Sequence, residues 1–278
     1  SHHANSSFGI PFNILGIDRK ELNFTEWPIL FFLAPFKAFK TPAKQKLYVV
    51  EADCDRPNEG KFLGSLLKPE VVIWLTVSKT HSVNFKNLEE IAHEFGYFLE
   101  YCKNLAIINK DNKLIVKQLP RTKSNLEQIK KHKILKSYKI TENGTMFNNY
   151  TFKFLLPEET IYSIASVQIL LTYLKIRDNF FKGFEIPPGR SSLFKGIKNT
   201  TIIDSTYNAA PASMSAALDM FKLYPAKEKW VILSDMVELG KEEEIEHQNL
   251  ARMVVGARLD KVILMGPRIT KYTLPALL

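Results

Sequence analysis

Four groups of residues carry side chains suited to hard cations and phosphates. Glu51 ends the apolar run Leu47 to Glu51 (LYVVE) and opens the loop Ala52 to Gly60, ADCDRPNEG. A carboxylate beyond the carboxyl end of a strand can hold Mg2+; the plainer alternative is a surface acid or a helix cap. His81 follows the run Val71 to Val77 (VVIWLTV) after the short loop Ser78-Lys79-Thr80. If both runs are parallel strands, Glu51 and His81 share one end of the sheet, where a neutral imidazole can ligate a metal or orient it through water. A lone loop histidine is otherwise simply solvated. The third group lies in TIIDSTYNAAPASM, Thr201 to Met214, where Asp204, Ser205, Thr206, Tyr207 and Asn208 cluster between a strand and a helix opened by Pro211. A carboxylate, hydroxyls and a helix N-terminus together can hold a ribose and its phosphates; the alternative is an ordinary capped turn. The fourth is Arg190, in the stiff segment IPPGR, Ile186 to Arg190. A hinge arginine can grip a phosphate bidentately and close two domains over it, or serve as a linker salt bridge.

Continuous apolar runs dominate the strand candidates: Leu47–Glu51, Val71–Val77, Leu105–Ile108, Thr201–Ile203, Trp230–Leu233 and Lys261–Met265. Such runs suit strands covered on both faces, as in a parallel sheet. Helical patterns at Asn87–Tyr101, Glu159–Leu174, Pro211–Leu223 and Glu242–Val255 separate most of them. Strand and helix in alternation predict an α/β fold with a mostly parallel sheet. The polar, basic stretch from Lys110 to Phe154, with β-like pieces at Lys113–Val116 and Tyr150–Phe154, reads as a small antiparallel excursion. The prolines and glycine of Ile186–Arg190 mark the boundary, giving domains 1–186 and 187–278. Three strands and their helices follow it, fewer than a doubly wound domain uses, so a truncated Rossmann-like second domain is expected.

The 278 residues allow two domains with a sizeable core. Lysine and arginine number 38 against 29 acids, a formal charge of +9 that favours anionic partners. The lysines are scattered, apart from one cluster at Lys130–Lys139, and no arginine run with interleaved aromatics marks a nucleic-acid face. The most apolar stretch, Trp27 to Phe39 (WPILFFLAPFKAF), is shorter than the ~20 residues of a spanning helix and carries Pro28, Pro35 and Lys37. A buried segment is expected there, in preference to a membrane-surface patch. Nothing at the start of the sequence has the pattern of a secretory signal. Two cysteines, Cys54 and Cys102, make no disulfide framework and point to a reducing compartment.

In order and kind these groups resemble the Mur ligase family. Asn5-Ser6-Ser7-Phe8-Gly9-Ile10-Pro11 is similar to that family's segment shortly after its phosphate loop. Glu51 to Gly60 matches its acidic-strand loop, and Lys68-Pro69-Glu70 with Thr80-His81 its metal-side histidine motif. Pro188-Gly189-Arg190 with Phe194 and Gly196 matches its interdomain arginine motif. Asp204 to Pro211 and Leu233-Ser234-Asp235-Met236 with Glu238-Leu239-Gly240 resemble its two C-terminal signatures, the most specific of the set. The resemblance implies a central ATPase-type domain of P-loop class and a cytoplasmic ATP- and Mg2+-dependent ligase. Such an enzyme joins D-Ala-D-Ala to UDP-MurNAc-tripeptide through an acyl phosphate. It implies that Glu51 and His81 hold Mg2+, that Arg190 contacts ATP phosphates and that Asp204 meets the nucleotide. Tyr207 and Asn208 would shape the pocket, and the groups at 51, 81, 190 and 204 would converge on one cleft.

Three departures qualify that expectation. No G-x-x-x-x-G-K-[ST] occurs in the sequence; the match begins abruptly at Asn5, as if the phosphate loop lay just upstream, and the chain by itself is expected to be inactive. The family's carbamylated lysine would fall fourteen positions after the histidine, where this chain has Phe95. The family's His-Asn before the next helix is Glu159-Thr160 here. The alternatives are another amino-acid ligase of the superfamily, of folylpolyglutamate or cyanophycin type, or a non-catalytic relative that binds a nucleotide sugar.

Overall fold

The computed structural model describes residues 5–17, 25–39, 47–78, 84–177, 181 and 183–278. The first half is organised on a three-stranded parallel sheet, β1 (Val71–Trp74), β2 (Leu105–Asn109) and β3 (Asn125–Ile129), with β2 in the centre. Every residue of β2 is buried, and its side chains alternate between two cores. Leu105 and Ile107 face a cluster with Ile161 and Ile164 of helix α7 (Thr160–Tyr173). Ala106 and Ile108 face Ala92 and Leu99 of α4 (Leu88–Glu100) and Ile115 of α5 (Lys113–Gln118). Asn87 caps α4 by accepting from the Glu90 amide, and Asn112 caps α5 in the same way. Helix α3 (Glu59–Leu67) lies along α4.

The stretch from Lys110 to Phe154 is therefore only partly antiparallel. Lys113–Val116 is helical, and Asn125–Ile129 is a third parallel strand whose first four residues are exposed. A polar edge strand lacks the apolar run that marks a central one. The antiparallel part is the meander β4 (Tyr138–Thr141), β5 (Gly144–Phe147) and β6 (Tyr150–Phe152), reached after the short helix α6 (Lys131–Ile134).

Two further expectations are corrected. Leu47–Glu51 forms no strand; Leu47, Tyr48 and Val49 are exposed, and the backbone tie after them joins the Asp53 amide to the Asn5 carbonyl. Trp27–Phe39 is not a buried segment but helix α2 (Glu26–Ala38), which follows the short α1 (Gly9–Ile14). Leu30 alone among its residues is buried, packing near Phe12 and Ile17, while Trp27 stacks on Phe31 at 5.6 Å. Ile29, Phe32, Leu33 and Phe36 form an exposed stripe at helical spacing. No helix among the described residues is long and apolar enough to cross a membrane.

Beyond the linker, β7 (Ser192–Lys195) pairs antiparallel with β8 (Thr201–Asp204), and β9 (Trp230–Ser234) pairs parallel with β10 (Lys261–Met265). The expectation of a parallel β8 thus fails: its recorded partner is the preceding strand, which is half exposed and carries Phe194 to solvent. Helices α8 (Pro211–Leu223), α9 (Glu243–Gly256) and α10 (Pro267–Tyr272) bury Leu218, Leu250, Val254 and Ile269 against Leu233 and Met236. The two halves share a small core in which Ile140 and Leu155 meet Met220 and Tyr224. The Tyr224 hydroxyl donates to the Glu142 carbonyl at 3.4 Å.

Candidate functional site

The antiparallel register of β7 and β8 sets Ser192 opposite Asp204, so the residues just outside the pair continue as neighbours. The Tyr207 amide donates to the Gly189 carbonyl at 3.1 Å, and the Ser191 and Ser205 hydroxyls lie 3.1 Å apart. The Arg190 guanidinium carbon sits 4.1 Å from the centre of the Tyr207 ring. Gly189 is required at this crossing. Its φ is +75°, and a Cβ there would sit 3.1 Å from the Tyr207 nitrogen. Arg190 is exposed and Tyr207 is 47% exposed, so this contact faces solvent.

Asp204 ends β8. Its Oδ1 accepts from the Thr206 amide at 3.0 Å and the Thr206 hydroxyl at 2.7 Å, which shapes the turn. Asn208 Oδ1 accepts from the Ala209 amide at 2.8 Å. The turn delivers the chain into α8 with Pro211 at its first position, and the Ser213 hydroxyl bonds back to Ala210. The structure therefore clasps Arg190 onto Tyr207, in the turn that carries the chain from Asp204 past Asn208 into the 13-residue helix α8, whose N-terminus favours anions.

Glu51 is exposed and makes no recorded hydrogen bond or ion pair with that clasp. His81 lies outside the described residues. The loop after Glu51 is held by Glu59, whose Oε1 accepts from the Ser7 hydroxyl at 2.8 Å and whose Oε2 accepts from the Asp55 amide at 2.8 Å and the Arg56 amide at 3.1 Å. Asn84, three residues past His81, donates to the Asp55 carbonyl at 2.9 Å. Asn84 is thus tied to the acidic loop. Buried Cys54 sits among these acids. Burial pushes its thiol far above the usual range, and the charges of Asp53, Glu94, Glu59 and Asp55 push the same way. A thiol so placed is a poor nucleophile.

Phe95 packs 6.2 Å from Trp74 and 6.3 Å from Phe98, ring centre to ring centre, in an apolar cluster. A metal-bridging carbamate does not fit that position. Among the described residues no three His, Cys, Asp or Glu side chains are grouped to hold a metal. Exposed Glu51 leaves its carboxylate open to a cation, the donor type through which Mg2+ is commonly bound. At the third departure, Glu159 pairs with Lys131 at 3.6 Å, which gives that acid a surface role.

The contacts of three groups were not foreseen from the sequence. Glu94, 6% exposed, accepts from the Gly60 amide at 3.1 Å and so satisfies an unpaired donor in the first turn of α3. Asp235 Oδ1 accepts from the Ile269 amide at 2.7 Å at the start of α10. Its other oxygen lies 3.6 Å from Arg268, which donates to Glu243 at 2.8 Å. His247 is fully buried; its Nε2 accepts from the Met236 amide at 3.2 Å, which leaves the proton on Nδ1 facing the Glu243 carbonyl at 2.7 Å. The signature at Leu233–Gly240 is thereby anchored from behind by α9 and α10. The Glu243-to-His247 spacing of one helical turn was the available signal.

The chain belongs to the Mur ligase family. The Mur ligase middle-domain profile matches residues 33–169, and the profile of the Mur ligase glutamate ligase domain matches residues 189–274. Among its relatives, the UDP-N-acetylmuramoyl-tripeptide–D-alanyl-D-alanine ligase (MurF) of Rickettsia prowazekii (strain Madrid E) is 28% identical over 246 residues, covering 81% of this chain and 54% of the relative. The Bacillus subtilis (strain 168) ligase of the same name is 23% identical over 245 residues, covering 84% and 54%. The chain thus spans about half the length of the curated relatives it matches. The crystal structure of MurF ligase from Thermotoga maritima in complex with ADP superimposes with a TM-score of 0.71 at 18% identity, over 100% of this chain and 78% of that one. MurF from Acinetobacter baumannii gives 0.75 at 16% identity, over 99% and 63%. These two likenesses establish the shared fold.

Proposed function

We propose that the intact protein is an ATP-dependent amide ligase of the cytoplasm that adds D-Ala-D-Ala to UDP-MurNAc-tripeptide. The observation that carries this reading is the clasp of Arg190 on Tyr207 beside Asp204, set at the N-terminus of α8. The names of the relatives support the choice of substrates. In the reaction a substrate carboxylate oxygen bonds to the γ-phosphorus of ATP as the bond to ADP breaks. The amine of D-Ala-D-Ala then bonds to the acyl carbon, phosphate leaves, and the nitrogen gives up a proton.

The physical demand is crowded negative charge, met best by fixed positive groups aimed where that charge develops. Arg190 presents a permanent cation whose N–H edges suit phosphate oxygens. Asp204 Oδ2, which has no recorded partner among the described residues, would accept from ribose hydroxyls. The exposed Tyr207 and Asn208 border the same space. Glu51, and His81 with it, would hold Mg2+, which neutralises phosphate charge when bound. The phosphate-cradling loop of such enzymes is not among these 278 residues, so the chain alone is expected to show no turnover.

Phosphate release from ATP by the intact protein tests the reading. It should require both UDP-MurNAc-tripeptide and D-Ala-D-Ala. Turnover with folate and glutamate, or with cyanophycin-type pairs, would move the protein to another ligase of the superfamily. Phe95 in an apolar cluster favours a second reading, a non-catalytic nucleotide-sugar binder. Binding of UDP-MurNAc-tripeptide without phosphate release from any pair would select it.

A further inference from the structure

We propose that Tyr207 is a positioning residue for Arg190, holding its guanidinium flat and its N–H edges open before the nucleotide arrives. The inference rests on the reading of Arg190 as a phosphate contact. Four observations carry it. The guanidinium lies 4.1 Å from the ring centre, within the range of an attractive cation–ring contact. The two residues cannot drift apart, because the Tyr207 amide is bonded to the Gly189 carbonyl and Ser191 meets Ser205 one step further on. No hydrogen bond or carboxylate partner of the Arg190 side chain is recorded among the described residues. Finally, the ring is 47% exposed and belongs to none of the buried clusters among the described residues, so filling a core there does not explain it.

A stack and a salt bridge differ in what they leave free. A carboxylate partner would occupy the same in-plane donors that a phosphate needs. A ring engages only the face of the guanidinium and leaves those donors unpaired. It also removes side-chain rotations that binding would otherwise have to freeze, the general benefit of preorganisation. Tyr207 thus acts on the nucleotide through Arg190, and the hydroxyl of the ring is not needed for it.

Mg-ATP kinetics of the intact protein, with NMR of the Arg190 Nε–H, test the proposal. Tyr207→Leu should raise KM for ATP about threefold with kcat nearly unchanged, and Tyr207→Phe should match wild type. In an Arg190→Gln background Tyr207→Leu should have no further effect. The Arg190 signal should carry a ring-current shift in wild type and Tyr207→Phe and lose it in Tyr207→Leu. If Tyr207→Leu melts at the assay temperature, Tyr207→Met, which keeps apolar bulk without a ring, replaces it. Equal effects in both backgrounds, or Tyr207→Phe as impaired as Tyr207→Leu, would overturn the proposal. If Arg190→Gln leaves ATP affinity intact while the ring-current shift is present, the phosphate reading itself fails, and Tyr207 has nothing to position.

Discussion

The acidic-loop region and the 189–207 clasp are stabilised in opposite ways. In the clasp, one antiparallel pair fixes Gly189, Arg190 and Ser191 against Ser205 and Tyr207, and Arg190 and Tyr207 are exposed. In the acidic loop, carboxylates turn inward to satisfy backbone donors. Glu59 holds the Asp55 and Arg56 amides, and buried Glu94 holds Gly60. The position at which the family resemblance calls for a charged ligand is filled by Phe95 among aromatic rings. The strand pair presents its charge to solvent, whereas the acidic loop uses Glu59 and Glu94 to hold its own backbone.

Substitutions in the two regions should break that contrast unequally. The largest effect is expected from Gly60→Val, because even a Cβ at this position collides with the Glu94 carbonyl oxygen between α3 and α4. Loss of about 3 kcal/mol or more is expected in urea unfolding; a near-neutral result would mean that α3 and α4 are further apart. Phe95→Lys should cost about 2 kcal/mol by placing an amine in the apolar cluster. Mg2+ with bicarbonate should not raise its melting temperature, and a clear rise would show that the carbamate geometry survives. In the clasp, Gly189→Ala should cost about 1–2 kcal/mol through its positive φ and the close Tyr207 amide. It should also weaken the Arg190 ring-current shift, an effect that Gly60→Val lacks if the regions are independent. The smallest effect concerns Cys54. With its pKa raised by burial and neighbouring acids, the folded protein should alkylate there far more slowly than a free thiol at pH 8. Rapid labelling with intact secondary structure would place the loop open to solvent.

Much of the framework was legible in the sequence because its signals are local. Asn87 and Pro211 mark the starts of α4 and α8, and the apolar β2 announces a strand buried on both faces. Asn125–Ile129 hid because an edge strand facing water carries Asn, Glu and Gln. Leu47–Glu51 misled in the other direction: its apolar residues are exposed, and nothing in a run of five residues distinguishes a paired strand from an extended approach to a loop. Trp27–Phe39 misled for a related reason, since apolarity all round a helix argues for burial, whereas here a single residue is buried. At the site, Arg190 and Asp204 were legible as types at strand ends. Their union through Tyr207 was not, because it depends on β7 pairing back onto β8 across the Gly196 turn. The inward use of Glu94 was equally hidden, since it follows from how closely α3 approaches α4.

The account stands on Arg190 as the cation that meets phosphate at the mouth of the clasp. Equilibrium binding of Mg-ATP to the intact protein and to its Arg190→Gln variant tests this most directly. Loss of a charge-assisted contact predicts an affinity about tenfold or more weaker with an unchanged melting temperature. Equal affinities for the two proteins would contradict it.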